Sequence, residues 1–144
     1  MTPTTNPTRD RGDTGTLSLS TAITVPAIIV FLALTIMAGR LAAANGAVES
    51  AANEAARAAS ISRTHADADA AARATAATVL ANAGCTTIDV SPDLTGLSAP
   101  LGEFAQVSVT VTCTVPLAGL VVLNQADRTI THTATSVVDP YRSR

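Results

Sequence analysis

The sequence predicts an α+β protein: one membrane-spanning helix, an alanine-rich helical stalk, then a small three-stranded antiparallel sheet. Three observations carry that expectation. No charged residue occurs from Thr14 to Gly39, and Leu19 to Ala38 is mostly apolar. Alanine-rich sequence follows Arg40, and beyond Cys85 the period of the apolar residues changes to two. The expected divisions are a disordered leader over 1–15, a transmembrane helix over 16–39, a stalk over 40–84 and a β head over 85–144.

At about 1.5 Å per residue, roughly 20 helical residues cover a hydrocarbon core of about 30 Å, which the Leu19 to Ala38 run satisfies. Pro26 falls inside the run and is expected to kink it, a defect that membrane helices tolerate. Ser18, Ser20, Thr21, Thr24 and Thr35 are polar within the span, and their hydroxyls can bond back to the helix. A cleaved secretory signal is the competing reading, with Ala42, Ala43 and Ala44 as a small-residue site. Against it, the apolar run is longer than a signal's and Arg40 separates it from the cut.

Before the span, residues 1–14 are rich in Thr, Pro and charge, with nothing to bury. Arg9 and Arg11 precede the span while Arg40 and Arg57 follow it, so the positive-inside count is nearly a tie. The pair Cys85 and Cys113, together with the Thr-rich strands, breaks the tie. In the cytosol they would be free thiols; outside it they are expected to be joined, which places the N-terminus in the cytoplasm and the head outside. Joined, they close a loop of about 29 residues, worth on the order of 3 kcal/mol.

From Leu41 to Ser62 the composition favours helix. Glu49, Asn53 and Arg57 share one face, and Ala44, Val48, Ala51, Ala52, Ala55 and Ala59 form a narrow seam on another. Such a seam lets a second helix or a sheet approach closely. Thr64 and Asp67 make an [ST]-x-x-[DE] helix start, predicting a break near Ser62 to Thr64 and a second helix over His65–Ala83, stopped by Gly84.

The clearest strand is Phe104 to Val115. Ala105, Val107, Val109, Val111, Cys113 and Val115 fall on one side and Gln106, Ser108, Thr110, Thr112 and Thr114 on the other. Weaker strands are expected over Thr86–Val90 and Arg128–Val138, with a loop from Ser91 to Gly102. Leu117 to Leu123 is apolar but short, a hairpin tip or a contact surface, and the terminal DPYRSR reads as frayed.

Composition limits the chemistry. Aromatic residues are 2 % of the chain, too few to wall a deep small-molecule pocket. The formal net charge is -2 and every basic residue is Arg, with no basic face to bind nucleic acid. His65, Asp67 and Asp69 alternate along a helix, so they do not converge on a metal, and His132 has no triad partners nearby in sequence. Arg11-Gly12-Asp13 spells an adhesion tripeptide on the expected cytoplasmic side. No phosphate loop, nucleophile elbow or zinc motif occurs, and the carboxylates are scattered, so the chain reads as neither an enzyme nor a cofactor carrier.

From Arg11 to Arg63 the sequence has an RG, a hydroxyl- and leucine-rich start (TLSLSTAI), Pro26, an apolar span, Gly39-Arg40, and then AANEAARAASISR. In this it resembles the TadE-like proteins, pseudopilin relatives of tight-adherence (Flp) pilus and secretion machinery, particularly the short actinobacterial ones. A cysteine ahead of a V-x-V-x-V-x-C strand and a DPYR-like end extend the resemblance over most of the chain. The resemblance implies a pilin-like architecture, lateral packing of the N-terminal helix with other pilus or secretion subunits, and a prepilin-type peptidase that cuts after a glycine. Gly15 is then the fitting cut site, with Thr16 as the new start. Ser20 stands fifth, where the family usually carries Glu; Gly12, with Leu17 fifth, fits less well. An uncharged Ser20 lowers the cost of inserting the span by about 2–3 kcal/mol relative to a charge at mid-helix. The alternative is an anchored or shed extracytoplasmic binding module unrelated to a pilus.

Overall fold

The structure, a computed structural model, describes residues 14–100, 102–116 and 127–140, with side chains from residue 21 onward. Its elements in chain order are α1 (Thr14–Ser60), α2 (His65–Leu80), β1 (Thr87–Asp93), a short 3-10 helix (Thr95–Ser98), β2 (Ala105–Pro116) and β3 (Asp127–Val138). The α+β class and the sheet are those expected. Of the disordered leader expected over 1–15, Thr14 and Gly15 are already helical because the uncharged run begins there, and residues 1–13 lie outside the described residues, as do 117–123 and 141–144. The chain divides into two units, Met1–Ile36 and Met37–Arg144.

In the first unit α1 is helical through Pro26. The Thr35 hydroxyl donates to the Phe31 carbonyl at 2.9 Å, so this polar group spends its hydrogen bond inside the helix. Large side chains from Ile28 to Leu32 are all exposed. Five consecutive residues exceed a helical turn, so the apolar surface runs around the whole circumference. A helix apolar on every side has no water-facing side and belongs in an apolar medium.

The second unit is a two-layer sandwich of helix on sheet. On the α1 segment after Met37, Ala44, Val48, Ala51, Ala52, Ala55, Ala56 and Ala59 are buried, each within 2 % of complete burial. Helix α2 contributes Ala68, Ala72, Ala76 and Leu80 at i, i+4 spacing. These meet the apolar side of β2, where Val107, Val109, Val111 and Cys113 are fully buried in the same core. Alanine methyls are too small to hold helix and sheet apart, so a face built from them admits close packing. The seam is thus buried in one core with α2 and the sheet, the kind of close neighbour its small residues admit.

Helix α2 starts where expected. The Thr64 side chain accepts from the Asp67 backbone N–H at 3.1 Å, and its hydroxyl donates to the Asp67 carboxylate at 2.8 Å. Its end comes three residues earlier than expected, at Leu80 rather than Ala83. There the Ala83 N–H reaches the Leu80 carbonyl in a tight i→i−3 bond at 3.0 Å, and Gly84 takes φ 74°, a value open to glycine.

The sheet has the order β1-β2-β3, both pairs antiparallel. Strand β1 runs on through Ser91, Pro92 and Asp93, residues expected as loop. Pro92 is compatible with this because β1 is an edge strand and its missing N–H need not bond. Asp93 then turns the chain: its Oδ1 accepts from the Thr95 N–H at 3.1 Å and from the Thr95 hydroxyl at 2.9 Å, launching the 3-10 turn. That turn buries Leu97 against the core and lays Gly96 on the backbone of Gln106.

Cys85 and Cys113 form a disulfide with Cα atoms 5.5 Å apart. It joins the start of β1 to the middle strand, beside the bond from the Thr86 N–H to the Thr114 carbonyl at 2.7 Å.

Two stability predictions follow from this packing. Breaking the bridge by Cys113→Ser should cost about 3 kcal/mol and lower the thermal midpoint of the full-length protein in detergent, with reductant having the same effect on the parent. In Gly96→Ala the new Cβ would overlap the Gln106 carbonyl, and since that neighbour is backbone the turn must shift. A loss of about 1–3 kcal/mol is expected in denaturant unfolding.

Candidate functional site

Among the described residues two surfaces stand out beyond the core: the apolar shell of α1 ahead of Met37, and the outer side of the sheet. On the first, Ile23 and Phe31 are each 68 % exposed, and no Asp, Glu, Lys or Arg interrupts residues 14–39. This helix is long and apolar enough to cross a membrane. Gly15 and Thr16 lie in its first turn and Ser20 in its second, by backbone.

The outer side of the sheet is built by the same period of two that builds the core. With Val107, Val109 and Val111 turned inward, Ser108, Thr110, Thr112 and Thr114 turn outward. The register sets Thr110 opposite Thr133, Thr112 opposite Thr131 and Thr114 opposite Thr129. Their hydroxyls pair at 2.8, 3.1 and 3.5 Å, making a ladder across the two strands. Strand β1 adds Thr87, Asp89, Ser91 and Asp93 to this side. The face is thus rich in hydroxyls and acidic at its β1 border.

The sequence's other candidates separate in space. The His65 ring Nε2 meets the Ser98 hydroxyl at 2.9 Å, Asp67 is engaged by Thr64, and Asp69 pairs with Arg73 at 2.9 Å. Each therefore has its own partner, and H-x-D-x-D is a helix start with a surface ion pair. Among the described residues, no group of three or more His, Cys, Asp or Glu side chains is placed to hold a metal ion. His132 lies on the core side of β3 between Ile130 and Ala134 and is half-buried.

Sequence reasoning missed two bonds that tie the layers together. Arg73 Nη1 donates to the Val90 carbonyl at 2.7 Å, fastening α2 to β1, and the Ser136 hydroxyl donates to Ser60 Oγ at 2.9 Å, fastening β3 to the end of α1. Ser60 is 5 % exposed, and its own hydroxyl donates to the Arg57 carbonyl at 2.9 Å. A serine in an alanine-rich helix carries no signal of such a partner, since the bond joins residues 76 positions apart.

No family model, curated protein or solved structure matches this chain. The geometry alone carries the functional argument.

The titrations are modest. The hydrogen bond from Arg73 holds the Asp69 carboxyl below its ordinary value, and the Thr95 N–H and hydroxyl do the same for Asp93. A carboxyl lowered on folding adds stability above its unfolded pKa, about 3.9, and loses it as pH falls through the lower folded value. The thermal midpoint should therefore hold between pH 5 and 7 for these two groups and decline below about pH 4. Asp69→Asn with Asp93→Asn should flatten that acid limb in a pH series of melts; an unchanged limb would remove both groups from the account.

Proposed function

We propose that this chain is a non-enzymatic, TadE-like minor pseudopilin: a structural component of a pilus-assembly or secretion apparatus, held by a single membrane helix. The observation that carries the proposal is the all-round apolar surface of α1 before Met37, which needs lipid or other apolar helices around it. Small and β-branched residues there (Ala22, Ala27, Val30 and Ala33) permit close helix–helix approach. Because the seam over 44–59 is already buried in the chain's own core, lateral packing is assigned to the span alone.

The disulfide supports a head outside the cytoplasm, where such bonds persist, and so an N-terminus inside. In that topology the leader faces the side on which a prepilin-type peptidase would meet Gly15. Cleavage after it would make Thr16 the first residue and Ser20 the fifth. An uncharged fifth residue inserts more readily than the glutamate it replaces, and it removes the carboxylate that would otherwise register one subunit against the next.

The competing reading is an anchored binding module whose working part is the hydroxyl-rich sheet face. Intact mass and N-terminal sequence of the protein from its host, separated into membrane and medium, distinguish them. A start at Thr16 in the membrane is the expected result, and Gly15→Leu should return the start to the unprocessed N-terminus. An uncut start in the membrane would favour the binding module, and a start near Asn45 in the medium would sink both anchored forms.

A further inference from the structure

We infer that the free edge of β3 is a self-association site, pairing antiparallel with β3 of a second copy to make one continuous six-stranded sheet. The inference does not rest on the pilus reading. Strand β3 bonds β2 on one side, and no described strand lies on the other. Its 12 residues leave a long row of backbone N–H and C=O groups whose alternation is matched by another extended strand.

The two edges of the sheet differ in how they are protected. Strand β1 is 7 residues long and carries Pro92, Asp89 and Asp93, which are the ordinary means of blunting an edge. From Thr129 to Val138, β3 has no Pro, no Gly and no Asp, Glu, Lys or Arg. Its outward residues read Asp127, Thr129, Thr131, Thr133, Thr135, Val137, and the four central threonines are complementary to themselves when reversed.

That self-complementarity names the occupant and the register. A twofold pairing that sets Thr131 opposite Thr133 of the second copy also sets Thr129 opposite Thr135, so all four threonines of each strand meet threonine. Shifting by two residues in either direction loses one or more of these matches. The pairs formed are those that the chain already makes between β2 and β3, where Thr110 and Thr133 hydroxyls lie 2.8 Å apart. On the helix side the same register places Ile130 opposite Ala134, His132 opposite its own counterpart and Arg128 opposite Ser136. On the outer side Asp127 falls opposite Val137, and no acidic or Arg side chain meets its like.

Site-specific oxidation of the full-length protein in detergent tests this. Chains carrying Thr131→Cys and Thr133→Cys, distinguishable by tag length, are mixed and oxidised, then run without reductant. A cross-linked heterodimer is expected in the mixture, with each variant alone giving little. A Thr131→Lys/Thr133→Lys chain bearing His132→Cys should lose the homodimer that His132→Cys alone forms, while its circular dichroism and melting midpoint stay those of a folded head. No cross-link in the mixture, or equal cross-linking from Asp89→Cys on the β1 edge, would overturn the inference. Association through the membrane helix alone would give that second pattern.

Discussion

Everything in the head depends on a core that joins alanine from two helices to valine from one strand. The contact surface of α1 after Met37 and of α2 is nearly all alanine, with Val48 and Leu80 the largest fully buried helix residues. Alanine costs no side-chain entropy on burial and is the best helix former, so each helix is cheap to order. Its weakness is the small apolar area that each methyl removes from water. The sheet supplies the bulk that the helices lack: Val107, Val109 and Val111 are β-branched, stiff and fully buried, and they project toward the methyls from the middle strand.

A core so thin in large side chains needs other ties. The disulfide shortens the unfolded chain's freedom across 28 positions, and it anchors the connection between α2 and β1 to the central strand. Polar bonds do similar work at the other end. Ser136 with Ser60, and Arg73 with the Val90 carbonyl, cross the helix–sheet boundary at places where an alanine interface has no shape to fix its register. Nonspecific methyl packing sets the distance between layers, and these directional bonds set how the layers slide.

Local patterns were legible and long-range ones were not. The period of two placed β2 to within a residue at each end, because burial on one side and threonine on the other leave a single workable register. Thr64 and Asp67 marked the start of α2 because capping is settled within one turn. Strand β1 was misread beyond Val90 because Pro92 usually breaks a ladder; only the topology reveals that it sits on an edge. The alanine seam was recognised, yet its occupant could not be, since a face of methyls fits any close neighbour. The disulfide was inferred from two cysteines and a compartment argument, and the strand register then brings Cys113 beside the start of β1.

The middle strand resolves a conflict that a small head would otherwise face. A sheet needs apolar residues to bind its helices, but its other side must stay wet and must not stick indiscriminately. Threonine meets both demands because its branched Cβ suits a strand while its hydroxyl stays solvated or pairs with a neighbour. The ladder from Thr110 to Thr114 thus keeps the outer face polar without charge. Its consequence falls at the sheet's border. An uncharged threonine row ends at β3 with the same pattern it has inside, so the sheet stops there only for want of another strand. At β1 the pattern changes to Asp89, Pro92 and Asp93, and the sheet ends by its chemistry. One edge is closed by sequence and the other is left open, and that asymmetry marks where this head can be extended.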